Sequence, residues 1–215
     1  MTNSEENYLK TIYHLSLFSN SGISTNAIAN AMDSKPSSVT DMIQKLADKG
    51  LVLYKKYQGV ELTEKGKKEA IYIVRKHRLW EVFLVNKLGF TWDEVHDIAE
   101  QLEHINSEKL IDNLDKFLDF PTQDPHGDPI PDKEGNLPKI KRQLLCEASL
   151  HTKHIFVGVN DSSTSFLQYL DKQNISLGSV IEILEKEEFD NSMKILINDE
   201  EIIISHIVSN NIFIK

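Results

Sequence analysis

His96, Glu100, Glu103 and His104 lie close together in a stretch with a helical pattern. At roughly 100° per residue they project at about 0°, 40°, −20° and 80°, so four metal-capable side chains share an arc of about 100°. Val95, Ala99, Leu102 and Ile105 take the neighbouring face. The candidate ligands would then stand at the edge of a core, where a partly dehydrated cation site can form. His77 and Glu81 make a second set, one helical turn apart, inside the apolar run 71–85. A helix that apolar must be largely buried, and part of it suits a dimer interface. Burying either residue without a partner would cost several kcal/mol, which a shared cation would remove. A His–Glu pair at this spacing is equally at home on a solvated helix face. Two such sets on consecutive antiparallel helices point more firmly to metal. The loop Gln123-Asp124-Pro125-His126-Gly127-Asp128 adds Asp124 and His126. Carboxylates and imidazoles without a thiolate favour Mn2+ or Fe2+ over softer ions, and Zn2+ also binds such sets.

These side chains need helices to hold them. Thr63 caps a long helix from Glu64 to about Leu88, which Gly89 ends. A second runs from Thr91 to about Ile105, and a third from Ser107 to about Leu118. Upstream, Tyr8, Leu9, Ile12 and Leu15 recur at helical spacing over residues 5–18. Ser24 caps a short helix through Met32, and Pro36 opens another that reaches Lys49 and stops at Gly50. Two strand-like runs follow, 51–56 and 60–63, joined by Tyr57-Gln58-Gly59. Helix, helix, turn, helix and hairpin is the order of a winged helix-turn-helix. The helix that begins at Pro36 would offer Lys35, Pro36, Ser37, Ser38, Thr40, Asp41 and Lys45 to base edges and phosphates of duplex DNA. The hairpin would set Lys55, Lys56 and Tyr57 against the flanking backbone. Such a module can also serve protein contacts, with its lysines only a solvated surface.

Residues 120–139 are rich in proline and glycine and predict an ordered loop without regular elements. β-branched runs at 155–159, 180–184, 193–197 and 201–207, with a short helix over 166–170, predict a small barrel of five or so strands. The fold class is therefore α+β and mainly α. A winged helix spans 1–63, a helical metal-binding and dimerisation domain with its loop 64–139, a linker 140–152 and the β domain 153–215.

Net charge is −9. Basic residues nevertheless outnumber acidic ones up to Lys76, so a negative total does not exclude phosphate binding. The acidic, polar N-terminus does not resemble a secretion signal, and no run is long and apolar enough to span a bilayer. Cys146 is the single cysteine. The expectation is a cytoplasmic protein without membrane partners.

Several stretches together resemble the metal-dependent repressors of the diphtheria-toxin-repressor and manganese-transport-regulator type. They are Glu6-Asn7-Tyr8-Leu9-Lys10-Thr11-Ile12-Tyr13, Pro36-Ser37-Ser38-Val39-Thr40, Leu62-Thr63-Glu64-Lys65-Gly66, Arg75-Lys76-His77-Arg78-Leu79-Trp80-Glu81, Val95-His96-Asp97 with Glu103-His104, and Pro125-His126-Gly127-Asp128-Pro129-Ile130-Pro131. The resemblance covers nearly the whole chain and implies that 153–215 is an SH3-like domain related to ferrous-transport accessory domains. It implies a homodimer on operator DNA and two metal ions per subunit. One site would use His77, Glu81, His96 and His126, with Asp161. The other would use Glu100, Glu103, His104 and Asp124, with Asn7. Asn7 stands where the family often has Asp or Met. Lys10 stands where some manganese regulators have a second acid. Glu100, in place of the cysteine of the iron-sensing branch, favours manganese, with Fe2+ as the alternative.

The function expected is that of a metal-activated repressor of metal-uptake genes, not an enzyme. A metallohydrolase carrying a nucleic-acid module is a competing reading, against which no separate nucleophile or general base stands out. A winged-helix sensor of an organic ligand is another.

Overall fold

The computed structural model describes residues 1–19, 21–55 and 58–215. The chain divides into two compact units. One comprises Met1–Trp80, Glu100–Lys116 and Pro131–Leu137, the other Glu81–Ala99, Phe117–Ile130 and Pro138–Lys215.

The first unit opens with α1 (Asn3–Ser16), α2 (Thr25–Ala31) and α3 (Pro36–Asp48), then the hairpin β1 (Val52–Lys55) and β2 (Gly59–Leu62). Each helix start carries a sequence reason. Thr2 and Glu5 form a reciprocal capping box on α1, and the Ser24 side chain accepts from Ala27 N at the head of α2. Pro36 occupies the first turn of α3. Leu9, Ile12, Ile28, Val39, Ile43, Leu46 and Val60 are fully buried together. Burying each such side chain contributes about 1.5–3 kcal/mol. Ile23, between α1 and α2, exchanges backbone hydrogen bonds of 2.8 Å with Val60 and so ties the hairpin to the helices. The winged helix-turn-helix order is thus present.

α4 (Glu64–Leu88) follows at once. Thr63 Oγ1 accepts from Gly66 N at 3.0 Å, which fixes its first turn. That turn lies directly on the hairpin: a Cβ at Gly66 would stand 1.9 Å from the Leu51 carbonyl oxygen. Later in the chain come α5 (Val95–Leu102) and α6 (Glu108–Phe117). α6 is fastened to α4 by an ion pair from the buried Arg75 to the half-buried Asp115 at 2.7 Å. α5 is shorter than the helix expected over 91–105. Thr91 closes a turn with Glu94 before it, and Glu103 and His104 lie in the turn after it. No regular element occurs between Phe117 and Gln143, as the proline content predicts, apart from a bridge between Gln123 and Pro129.

The second unit contains β3 (Gln143–Leu144), a 3-10 turn (Leu145–Glu147), β4 (Lys153–Val159), α7 (Thr164–Lys172), β5 (Val180–Lys186), β6 (Met193–Ile197), β7 (Glu200–Ile204), α8 (His206–Ser209) and β8 (Ile212–Ile214). The strands form one antiparallel six-stranded sheet, ordered β3-β8-β4-β5-β6-β7. In β6 the inward residues Met193, Ile195 and Ile197 alternate with half-buried ones, as one packed face requires. Three expectations need correction. The stretch 140–152 is not a plain linker, because β3 pairs with β8 and Leu145 and Ala148 enter the core. The strand expected over 201–207 ends at Ile204, where Ser205 caps the one-turn α8. β8, absent from the sequence reading, lies inside the sheet between β3 and β4.

Candidate metal centres

In the first unit, α1, α4 and the end of α5 bring together Lys10, His77, Glu100 and Glu103. Ligand atoms of His77, Glu100 and Glu103 lie within 4.8 Å of one another. The Glu103 side chain is fully buried. Its Oε2 accepts from His77 Nδ1 at 2.6 Å and from Lys10 Nζ at 2.8 Å. Lys10 also bonds Glu100 Oε1. Burial pushes the Glu103 carboxyl up, but the His77 hydrogen bond and the Lys10 charge outweigh it and hold the group below its usual range. Glu103 Oε1 and, one turn before Lys10 on α1, Asn7 Oδ1 are buried without a hydrogen-bond partner. Buried lone pairs left this way cost free energy unless something electropositive meets them. Beside this group, His104 Nδ1 donates to Glu6 Oε2 at 2.7 Å, and Lys76 Nζ stands 3.8 Å from the same oxygen. Burial lowers the Lys76 pKa, against the pull of Glu6, Glu103 and Glu69.

In the second unit, Glu81, Asp124 and His126 are all buried and offer ligand atoms within 4.8 Å of one another. His126 Nδ1 is 3.6 Å from Glu81 Oε2, and His96 Nδ1 is 3.8 Å from Glu81 Oε1. His126 Nε2 donates to the Trp92 carbonyl at 2.7 Å, and the two rings stack. Burial pulls the His126 pKa down, but Glu81, Asp124 and the Trp92 carbonyl more than offset it and raise it to about 9. The loop earns its shape locally. Asp124 Oδ1 accepts from the backbone N–H of both His126 and Asp128 at 2.9 Å. Val159 N donates to the His126 carbonyl at 2.9 Å. Gly127 has φ +85, and a Cβ there would stand 2.1 Å from the Val157 oxygen. Only glycine lets the loop lie so close on β4.

Both sets consist of hard oxygen and borderline nitrogen donors, suited to a divalent first-row ion. The orphaned Glu103 Oε1 fits such an ion directly. The expected set of His77, Glu81 and His96 offers ligand atoms within reach of one another, and His77 also stands with Glu100 and Glu103. Asp124 stands with Glu81 and His126. His104 is engaged by Glu6, a residue the sequence reading passed over. Asp161 joins neither set: it is half-exposed, and its Oδ1 accepts from Ser163 N at 2.8 Å. The side chains opposite the helix arc come from α1, about ninety positions away in sequence, and no local pattern carries that information.

On α3, Lys35, Pro36, Ser37, Ser38, Asp41 and Lys45 are exposed, as is Lys55 on the hairpin. Thr40 is half-buried and its hydroxyl donates back to the Pro36 carbonyl at 2.9 Å. Lys56 and Tyr57 lie outside the described residues. Gln44, missed in the sequence reading, is exposed between Asp41 and Lys45. Its amide can pair with an adenine edge.

Residues 1–60 match the iron-dependent repressor N-terminal DNA-binding domain, 63–132 the iron-dependent repressor metal-binding and dimerisation domain, and 143–215 the FeoA domain. The iron-dependent repressor IdeR of Mycobacterium tuberculosis is 38% identical over 133 residues, which are 61% of this chain and 56% of that protein. The chain thus spans little more than half the length of that relative. The HTH-type transcriptional regulator MntR of Oceanobacillus iheyensis is 39% identical over 119 residues, 55% of this chain and 80% of that one. A solved manganese-dependent transcriptional repressor in complex with manganese is 34% identical, with a TM-score of 0.87 over 98% of both chains. Fold, donor sets and these likenesses agree: the chain belongs to the metal-dependent transcriptional repressor family of the diphtheria-toxin-repressor and manganese-transport-regulator type.

Proposed function

We propose that this protein is a metal-activated repressor that binds operator DNA as a homodimer, answers to Mn2+ and controls metal-uptake genes. The observation that carries the reading is the buried Glu103, with one oxygen unpartnered, among His77, Glu100 and Lys10 of α1. An ion held by Glu103, Glu100, His77, His104 and Asn7 would tie α1, part of the DNA-binding module, to the end of α5. A second ion would be held by Glu81, His96, Asp124 and His126. The ion's part is to favour the DNA-competent arrangement by binding it better. Carboxylates at positions 100 and 124 favour Mn2+. Iron is the second reading, because relatives are named for it. Dimerisation is supported by the exposed Leu88, Phe117 and Phe120 of the second unit, which are large apolar groups in water.

The test is selection of duplex DNA from a random pool by the purified protein with Mn2+, then gel-shift titration of the selected sequence. The expected result is a shift that appears with Mn2+ and is lost with chelator. Equally tight binding in chelator would overturn the metal-switch reading.

A further inference from the structure

Lys10 occupies an unusual position for a lysine. Its side chain is 11% exposed and bonds both Glu100 and Glu103. These are two of the carboxylates that would hold an ion beside α1. An ammonium and a divalent ion cannot share them. Together they would place three positive charges on one buried and one half-buried carboxylate, where water screens less than in bulk. Glu103 Oε1 adds the independent sign of a site: it is a buried lone-pair carrier that Lys10 leaves unsatisfied. Asn7, one turn earlier on α1, carries a buried oxygen without charge, and α1 has no carboxylate at positions 7 or 10.

We propose that the Lys10 ammonium is a built-in competitor for the divalent ion at the Glu100–Glu103 cluster. The ion binds there only by expelling Lys10 from its two carboxylates, and the free energy of that displacement sets the metal concentration at which the protein responds. The inference rests on the proposed metal-responsive function. It assigns to Lys10 a regulatory role distinct from that of a ligand. Apparent affinity is the intrinsic affinity reduced by the fraction of molecules in which Lys10 has left the carboxylates.

The experiment uses the full chain, stripped of metal, as wild type, K10M and K10R. Mn2+ binding is measured by calorimetry, and unfolding by circular dichroism with and without Mn2+. K10M should tighten the weaker Mn2+ binding step by about tenfold or more, because the competitor is gone. It should also lower the unfolding temperature of the metal-free protein and give a larger Mn2+-induced rise than wild type. K10R, which keeps the charge, should behave as wild type. If K10M is unfolded without metal, the Mn2+ concentration that restores its helical signal reads the same quantity. Mn2+ binding by K10M equal to or weaker than that of wild type, or failure of Mn2+ to restore its fold, would overturn the role of Lys10 and leave the proposed function standing. Absence of Mn2+ binding in wild type and K10M alike would overturn both.

Discussion

At the scale of single residues, the chain places carboxylates where burial raises their pKa and supplies a specific group that more than offsets it. Glu103 is held by His77 and Lys10. Glu5, whose side chain is nearly buried at the head of α1, is held by Lys49. The Lys49 hydrogen bond, with that from the Thr2 backbone, lowers its pKa below the usual 4.5. A carboxylate with a lowered folded pKa contributes stability that is fully present above its unfolded value. That contribution is lost as pH falls through the folded value. Wild type should therefore be more stable than E5Q at neutral pH, and the difference should shrink steadily below pH 4.5. Chemical unfolding of both proteins across that range checks it. A difference that is constant or grows on acidification would contradict the assignment.

At the scale of elements, much of the design was legible and the exceptions have physical causes. The caps at Ser24 and Thr63, the proline at 36 and the apolar spacing of α1 and α3 made the winged helix readable. Helical projection placed His96, Glu100, Glu103 and His104 on one arc, yet α5 ends at Leu102. The arc is in fact divided, with His96 facing Glu81 and Glu103 facing His77 and Lys10. Angular neighbourhood on one helix cannot say which other helix each side chain meets. β3 and β8 went unread because two or three residues are too few to show a period of two. The loop that carries Asp124 and His126 was recognised as irregular, but its anchor on β4 was not visible in the sequence. That anchor is testable. Gly127→Ala must either strain a left-handed backbone or push the loop off Val157, at a cost of about 1–3 kcal/mol. G127A should be destabilised by that amount in thermal unfolding and should bind Mn2+ more weakly at the Glu81–Asp124–His126 set. Wild-type stability together with wild-type affinity would show that the close approach to β4 is not what positions the ligands.

At the scale of the whole molecule, a net charge of −9 belongs to a protein with exposed basic residues on α3 and β1 and acidic, metal-capable clusters elsewhere. The sum hides the arrangement that matters: phosphate-seeking lysines on the reading module, and carboxylates whose buried charge calls for a cation. The two descriptions join at α1, which contributes Leu9 and Ile12 to the core of the DNA-binding module and Lys10 to the Glu103 cluster. The most direct measurement of that link is fluorescence anisotropy of a selected DNA duplex titrated with wild type, E103Q and E81Q, each with Mn2+ and with chelator. Wild type should gain affinity on adding Mn2+. E103Q, which lacks the carboxylate that joins α1 to the end of α5, should lose most of that gain while keeping its weak metal-free binding. Binding by chelated wild type as tight as in Mn2+, or a full Mn2+ response in both variants, would contradict the account.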